Sequence, residues 1–430
     1  MSREARLQVA LDFMNLHRAL AVAREAVDGG ADILEVGTPL LKAEGAEAVR
    51  RLRAAFPDHV IVADTKTNDA GRLEMEIAAK AGANVATVMG LASPSTIEEC
   101  VECGRNYGID VEVDLMEVAD PEAVAAKAEE WGAAYVSVHC PIDEQMRGGD
   151  PFERLRRVRR RVGIRVAVAG GINSETAPVA VSSGADVVIV GGAITKAEDA
   201  RAATHRIKEA MRTGVAAETD LFKRVRGDDV RRALDQVSTP NVSDALHRSG
   251  ELAGILPIVP GVRAVGPAVT VRTYPGDWAK PVEAIDHAKP GDVIVVDAGG
   301  VPPAVWGELA TESCLQAKIA GVVIDGAIRD VDSIRKLSFP AFARHVTPTA
   351  WEPKGFGEIG VPVRVGGRVV APGDWIVADD SGVVVVPRQK AGETANRALD
   401  VLERENRLRE EIRRASTLSR VMELLRWEKK

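Results

Sequence analysis

Six ionisable side chains stand at or near the ends of short apolar runs early in the sequence. Asp12 closes LQVALD, Glu35 lies in DILEVG, Asp64, Lys66 and Asp69 share D-T-K-T-N-D, and His139 closes YVSVH. Asp64 and Lys66 are two residues apart, so at a strand end they point the same way. A Lys flanked by carboxylates stays charged and can stabilise a developing oxyanion. Glu35 and Asp64, on neighbouring runs, offer two hard oxygen ligands, which suits Mg²⁺ completed by water and substrate. His139 beside them is placed for acid/base work. The plain alternatives are salt bridges on a rim and a satisfied core histidine. Further on, Gly170-Gly171 and Gly191-Gly192 each follow an apolar run and could expose backbone N–H groups to a phosphate.

A second constellation lies beyond residue 300, in W-G-E-L-A (306–310) and V-V-I-D-G-A-I-R-D (322–330). Arg329 is suited to bidentate capture of a carboxylate, and Asp330 to ligating a divalent cation. Gly307 and its neighbours could open a helix whose N–H groups face an anion. An ordinary Arg-Asp turn is the plain alternative.

Elements must hold these groups in place. From residue 7 to about 213, eight apolar runs alternate with amphipathic stretches: 7–12, 32–37, 60–64, 84–89, 110–115, 135–139, 165–170 and 186–191. Near-continuous Val, Ile, Leu and Ala in each run predicts strands buried on both faces. Eight β-α units predict an α/β fold, a (β/α)8 TIM barrel over 1–213, whose active groups stand at the C-terminal strand ends. A doubly wound sheet is the competitor. TGVAAETDLF breaks the pattern as a linker. Residues 218–430 then read as a mixed α/β domain, its strand-like runs separated by Gly/Pro turns such as P-G-D-W-I-V-A-D-D-S-G-V-V-V-V-P (372–387). Helices are expected at 227–248, 303–320 and 330–337. A charged amphipathic helix is expected over about 390–426, with Ala398, Leu402, Leu408, Ile412 and Ala415 on its apolar face.

Composition narrows the function classes. A formal net charge of −7 over 430 residues argues against a nucleic-acid binder. The basic run R-L-R-R-V-R-R-R-V-G-I-R (154–165) could be an RNA-binding patch, but it falls where the helix before the seventh strand belongs and reads as a solvated face. Cys100 and Cys103 form a C-x-x-C with no second pair, so they read as two helix residues. No apolar stretch approaches a membrane span, and the N-terminus lacks an apolar signal region. A soluble cytoplasmic protein is expected.

ALDF, EVG, D-T-K-T-N-D, the V-H before Cys140, AGGI and VGGAI occur in the order found in the orotidine-5′-phosphate decarboxylase superfamily, which the first half resembles throughout. Glu35 stands where the decarboxylase itself usually has Lys, which points to the Mg²⁺-dependent branch. That branch holds 3-hexulose-6-phosphate synthase and 3-keto-L-gulonate-6-phosphate decarboxylase. The latter typically has Arg three residues after the histidine, where this chain has Ile142, so the synthase is favoured and the decarboxylase is the alternative. The resemblance implies an aldehyde-lyase joining formaldehyde and ribulose 5-phosphate reversibly. It assigns Mg²⁺ (or Mn²⁺) to Glu35 and Asp64, and catalysis to Lys66, Asp69 and His139. Asp12 would bind substrate hydroxyls, and Gly170, Gly171, Gly191 and Gly192 the phosphate. It also implies a barrel dimer in which Asp69 reaches the partner's site.

The second half resembles the RraA-like family, on W-G-E-L-A, V-V-I-D-G-A-I-R-D, N-V-S-D-A-L (241–246) and V-G-P-A-V-T-V (265–271). That family includes ribonuclease regulators and class II pyruvate aldolases. The resemblance implies a 2-oxo acid on Arg329 and the backbone at Gly307 and Leu309, with a metal on Asp330. A non-catalytic, ribonuclease-binding regulator is the alternative. RraA-like domains form trimers, so dimeric and trimeric contacts in one chain could close as a hexamer.

Overall fold

The computed structural model describes residues 4–225, 229–414 and 416–422. The chain divides into two compact units, residues 1–222 with 403–430, and residues 223–402. The first unit holds a closed barrel of eight parallel strands in sequence order. These are β1 (Arg6–Leu11), β2 (Ile33–Val36), β3 (Val60–Thr67), β4 (Val85–Met89), β5 (Asp110–Asp114), β6 (Tyr135–His139), β7 (Arg165–Ala169) and β8 (Val187–Val190). Each lies within two or three residues of its apolar run. β2 and β8 are buried at every position, as strands with barrel on one side and helices on the other must be.

Helices pack outside the strands, and local chemistry sets their ends. Asn15 and Asp120 accept the backbone N–H groups of Arg18 and Ala123, which would otherwise lack partners at the starts of Leu16–Asp28 and Pro121–Trp131. The helix Pro121–Trp131 stops at Gly132, in the left-handed region at φ 93°. Two cores result. A small one fills the barrel, with Ala10, Ile33, Val62, Val85, Tyr135, Ala167 and Val187. A larger one lies between strands and helices. Cys100 and Cys103 are buried on the helix Pro94–Tyr107, as expected of packing residues. Arg154–Arg161 lies on the helix Phe152–Arg161, where only Leu155 and Val158 are buried.

The second unit is mixed α/β. In chain order its strands are β9 (Leu256–Pro257), β10 (Ala264–Arg272), β11 (Val293–Asp297), β12 (Ala304–Trp306), β13 (Gly321–Ile328), β14 (Ala341–Val346), β15 (Glu358–Ile359), β16 (Val363–Val365), β17 (Arg368–Val370), β18 (Trp375–Asp379) and β19 (Gly382–Val386). Among the described residues the main sheet runs β19-β18-β10-β11-β13-β14-β9, with β12 on β13 and β15 on β10; β16 and β17 form a hairpin. β10, β11, β13 and β14 pair in parallel, and β18 and β19 pair antiparallel.

Three helical expectations change. Of residues 227–248, the first two lie outside the described residues and the rest hold two short helices, Val230–Leu234 and Thr239–Ala245, because Ser238 and Asn241 form a capping box that starts the second afresh. Residues 303–320 begin as β12, whose buried Ala-Val-Trp pairs with β13, before the helix Glu308–Gln316. The tail helix, Ala391–Arg413, does not lie wholly with the second unit, since residues from Glu403 onward belong to the first. Ala398 is buried, but Leu402 and Leu408 are only half-buried and Ile412 is exposed. Polar Glu403 and Arg407 are buried there instead. Arg407 offsets its burial by pairing with Glu25 and Glu411, both at 3.0 Å, and by donating to the Ala197 and Glu198 carbonyls. Ala415, and the expected helix beyond residue 422, lie outside the described residues.

Candidate active site

Along a barrel strand, alternate side chains enter the interior. That alternation delivers Gln8 and Ala10 from β1, Ile33 and Glu35 from β2, Val62 and Asp64 from β3, and Glu112 and Asp114 from β5. At the C-terminal rim the apolar filling gives way to charge. Gln8 Nε2 donates to Glu35 Oε2 at 2.7 Å. Asp64 is held from two sides, Thr38 Oγ1 donating to its Oδ2 at 2.6 Å and Thr87 Oγ1 to its Oδ1 at 2.9 Å.

Lys66 sits where the β3–β4 register breaks between Ala63 and Thr67, with φ 45°. Such a break re-aims side chains beside a site. Here it brings Lys66 Nζ within 3.2 Å of Asp64 Oδ1 and 2.9 Å of Asp114 Oδ2. Asp114 Oδ2 also lies 3.4 Å from His139 Nδ1. Asp12 crosses over Gly37, where any side chain would collide with its carboxylate.

Charge in this mouth is out of balance. Burial first, then the Asp64 and Asp12 carboxylates, push the Glu35 carboxyl well above its usual range, against the Gln8 hydrogen bond. Asp12 is raised by burial and by Asp64, with Lys66 and His139 opposing. Lys66 is held protonated: burial disfavours its charge, but Asp114 and Asp64 outweigh it. Asp114 is driven down to about 2, since the His139 hydrogen bond and the Lys66 charge overcome its burial. Three crowded carboxylates, two of them raised, are relieved by a cation. Glu35 and Asp64 therefore fit a divalent ion completed by water and substrate. Among the described residues no cluster of three or more His, Cys, Asp or Glu side chains could hold a metal ion.

The structure thus brings together Asp12, Glu35, Asp64, Lys66 and His139. Asp69 stands apart, exposed, its Oδ1 accepting the Ala70 N–H at 2.7 Å. The glycine pairs have unequal reasons. A side chain at Gly170 would strike Cys140, a packing constraint, whereas one at Gly171 would meet only Gln145, at 3.4 Å. Gly191 faces Asp12 and Gly192 faces Lys196. The sequence reading missed Asp114, Gln8 and the two threonines. D-V-E-V-D (110–114) carried the signal for Asp114, because acids at every second position of a barrel strand all point inward.

Asp114 gives a stability expectation. Its folded pKa of about 2 lies below the ordinary 3.8, so its contribution is present above pH ~4 and lost as pH falls through about 2. Chemical unfolding of the barrel from pH 7 to pH 2 should show Asp114→Asn losing that slope, a difference of about 2 kcal/mol. Parallel curves for both proteins would refute the pairing.

In the second unit, Arg329 and Asp330 follow β13, with Nε and Oδ2 3.6 Å apart. Asp330 Oδ2 accepts the N–H of Glu308, the first residue of the helix that Gly307 caps, at 3.2 Å. Any side chain at Gly307 would strike Asp330 and crowd Arg329. Leu309 is 79% exposed. Arg329, Asp330 and the Gly307 turn therefore converge, and they do so on an open surface.

Comparison with known proteins follows the same division. Residues 5–207 match the family model described as orotidine 5′-phosphate decarboxylase / HUMPS family, and residues 239–385 match RraA-like, described as Aldolase/RraA. A 3-hexulose-6-phosphate synthase of Mycobacterium gastri is 37% identical over 206 residues, 48% of this chain and 99% of that protein. The crystal structure of 3-hexulose-6-phosphate synthase from Salmonella typhimurium is 36% identical, covering 49% of this chain and 99% of its own, with a TM-score of 0.47. Streptomyces coelicolor RraAS2, titled an unusual member of the RNase ES inhibitor RraA protein family, is 32% identical, covering 43% and 100%, with a TM-score of 0.40.

Proposed function

The chain belongs, through residues 5–207, to the orotidine 5′-phosphate decarboxylase / HUMPS family, and from that premise we propose that its barrel is an aldehyde-lyase joining ribulose 5-phosphate and formaldehyde reversibly into 3-hexulose 6-phosphate. The observation that carries this reading is the Glu35, Asp64, Lys66, Asp114 and His139 network at the barrel mouth. With His139 Nδ1–H directed to Asp114, Nε2 is left to take the C1 proton of ribulose 5-phosphate. The electron pair released at C1 then forms the new bond to the formaldehyde carbon, and the resulting alkoxide is protonated. Lys66, kept charged by Asp64 and Asp114, stabilises the enediolate. A divalent ion on Glu35 and Asp64 would add positive charge against the same oxygens. Asp12 would bind substrate hydroxyls. Incubating the protein with ribulose 5-phosphate, formaldehyde and Mg²⁺, with and without EDTA, tests the reading. No consumption of formaldehyde by folded protein would overturn it.

For the second unit we favour a metal-dependent site for a small 2-oxo acid. The supporting observation is the Gly307 turn, which leaves room for Asp330 and Arg329 together. A 2-oxo acid presents a carboxylate, which Arg329 can take with two parallel hydrogen bonds. It also presents a carbonyl oxygen that a cation at Asp330 would polarise. Calorimetry on the whole chain with oxalate plus Mg²⁺ or Mn²⁺ should show binding that Arg329→Ala and Asp330→Ala each weaken at least about tenfold. Without such binding, the regulator reading replaces this one.

A further inference from the structure

The turn after β8 carries more than two glycines. Lys196 caps the short helix Gly192–Thr195, and its side chain folds back along that helix. Its Nζ and Cε lie 3.0 and 3.2 Å from where a Cβ on Gly192 would stand. A side chain at 192 would press on the Lys196 ammonium in this position. Gly191, beside it, faces Asp12, whose Oδ2 is 3.4 Å from the position of a Cβ there. An ammonium thus lies at the rim of the mouth, on the side of the barrel where phosphates bind between the loops after the seventh and eighth strands.

Lys196 is held from behind by residues more than two hundred positions later. Glu403 Oε2 lies 4.0 Å from Lys196 Nζ, and the Glu403 side chain is 4% exposed. Its other oxygen accepts the N–H of Phe222 at 3.1 Å. One helical turn on, Arg407 donates to the Ala197 and Glu198 carbonyls at 3.1 Å each, so the segment directly after Lys196 rests on the same helix. Arg407 is itself fixed by Glu25 and Glu411, and Glu411 by Arg18 at 2.8 Å. A carboxylate buried behind an ammonium limits where the ammonium can point. Lys196 offers a full positive charge to an anion at this turn.

We propose that Lys196 binds the phosphate group of the barrel's substrate and that Glu403 is its positioning residue. The phosphate end of the site is then completed by a helix that the chain brings back after residues 223–402. This rests on the barrel's substrate being a sugar phosphate, but not on which reaction follows.

The test uses the full-length protein and inorganic phosphate as probe, so that it needs no turnover. Calorimetry should show phosphate binding weakened about tenfold or more in Lys196→Met and largely retained in Lys196→Arg. Steady-state rates should show KM for ribulose 5-phosphate rising in parallel while kcat changes little. Glu403→Gln should raise KM several-fold at nearly constant kcat, with Glu403→Asp restoring part of the difference, and circular dichroism should report an intact fold. A purely structural Glu403 would instead lower the melting temperature or scale kcat and KM together. That outcome removes the positioning role. Phosphate binding in Lys196→Met within twofold of the unaltered protein overturns the proposal, as does absence of phosphate binding by the unaltered protein. Phosphate binding that depends on Lys196 in a protein with no synthase activity leaves this inference standing and removes the proposed reaction instead.

Discussion

Glu35→Gln is expected to lower kcat/KM with ribulose 5-phosphate and formaldehyde by about 10³-fold or more, equivalent to roughly 4 kcal/mol of lost transition-state stabilisation. The same change should leave the metal-free protein as stable or more stable. Burial, and then the Asp64 and Asp12 carboxylates, raise the pKa of Glu35. A carboxyl raised in the folded state contributes stability below its ordinary pKa and loses it as pH rises through the folded value. In EDTA at pH 8 the unaltered protein therefore carries a penalty that glutamine lacks, while the Gln8 amide can still donate to the new side-chain oxygen. Mg²⁺ should reverse the order, raising the melting temperature of the unaltered protein by mass action and leaving Glu35→Gln unmoved. Melting curves in EDTA and in Mg²⁺, with rates for each, separate a metal ligand from a buried acid. Full turnover in EDTA, or in Glu35→Gln, would falsify the metal role.

Mixing two inactive variants, Lys66→Ala and Asp69→Ala, should recover up to about a quarter of normal activity. Lys66 lies in its own barrel's network, whereas Asp69 is exposed and bonded to the adjacent Ala70 N–H. If Asp69 serves a partner's site, a mixed two-fold dimer carries one intact site and one doubly damaged site. Random exchange makes half the dimers mixed, and half their sites intact, which gives about a quarter. The subunits must be shown to exchange, by mixing differently tagged proteins and recovering the hybrid. A hybrid without activity would place the work of Asp69 within its own chain or nowhere.

The barrel strands were readable because burial on both faces writes itself as unbroken Val and Ile, as in β8. The rim was readable in part, because Asp12, Asp64 and His139 close such runs. Asp114 was passed over although Asp110, Glu112 and Asp114 alternate with valines, a pattern that puts acids inside a barrel. Thr38 and Thr87 carried no such mark: their importance comes from two hydrogen bonds to one carboxylate, which only the fold brings together. Gly192 was legible as a glycine at a turn, but the side chain it faces, Lys196, is four residues on and carried no mark in the sequence. The tail was legible as a helix and not as to its partner. Spacing reports that a stripe will be covered, not by what, and the buried positions from 403 onward are ionic, Glu403 and Arg407. In the second unit, Arg329 and Asp330 were visible as a pair, while the strand before Gly307 was hidden because Ala-Val-Trp suits a buried helix equally well.

The first unit is discontinuous in sequence, 1–222 with 403–430, and this bears on how the protein is made. Chains emerge from the ribosome N-terminus first, and domains tend to fold as they emerge. All eight barrel strands are available early, yet Glu403 and Arg407 arrive only after the whole of 223–402 has been synthesised. Until then Glu25 and the carbonyls of Ala197 and Glu198 lack the guanidinium they bond in the finished protein. The nascent barrel would thus be closed but unclamped at the turn after β8, and would gain these contacts only once residues 223–402 and the helix that follows them have been made.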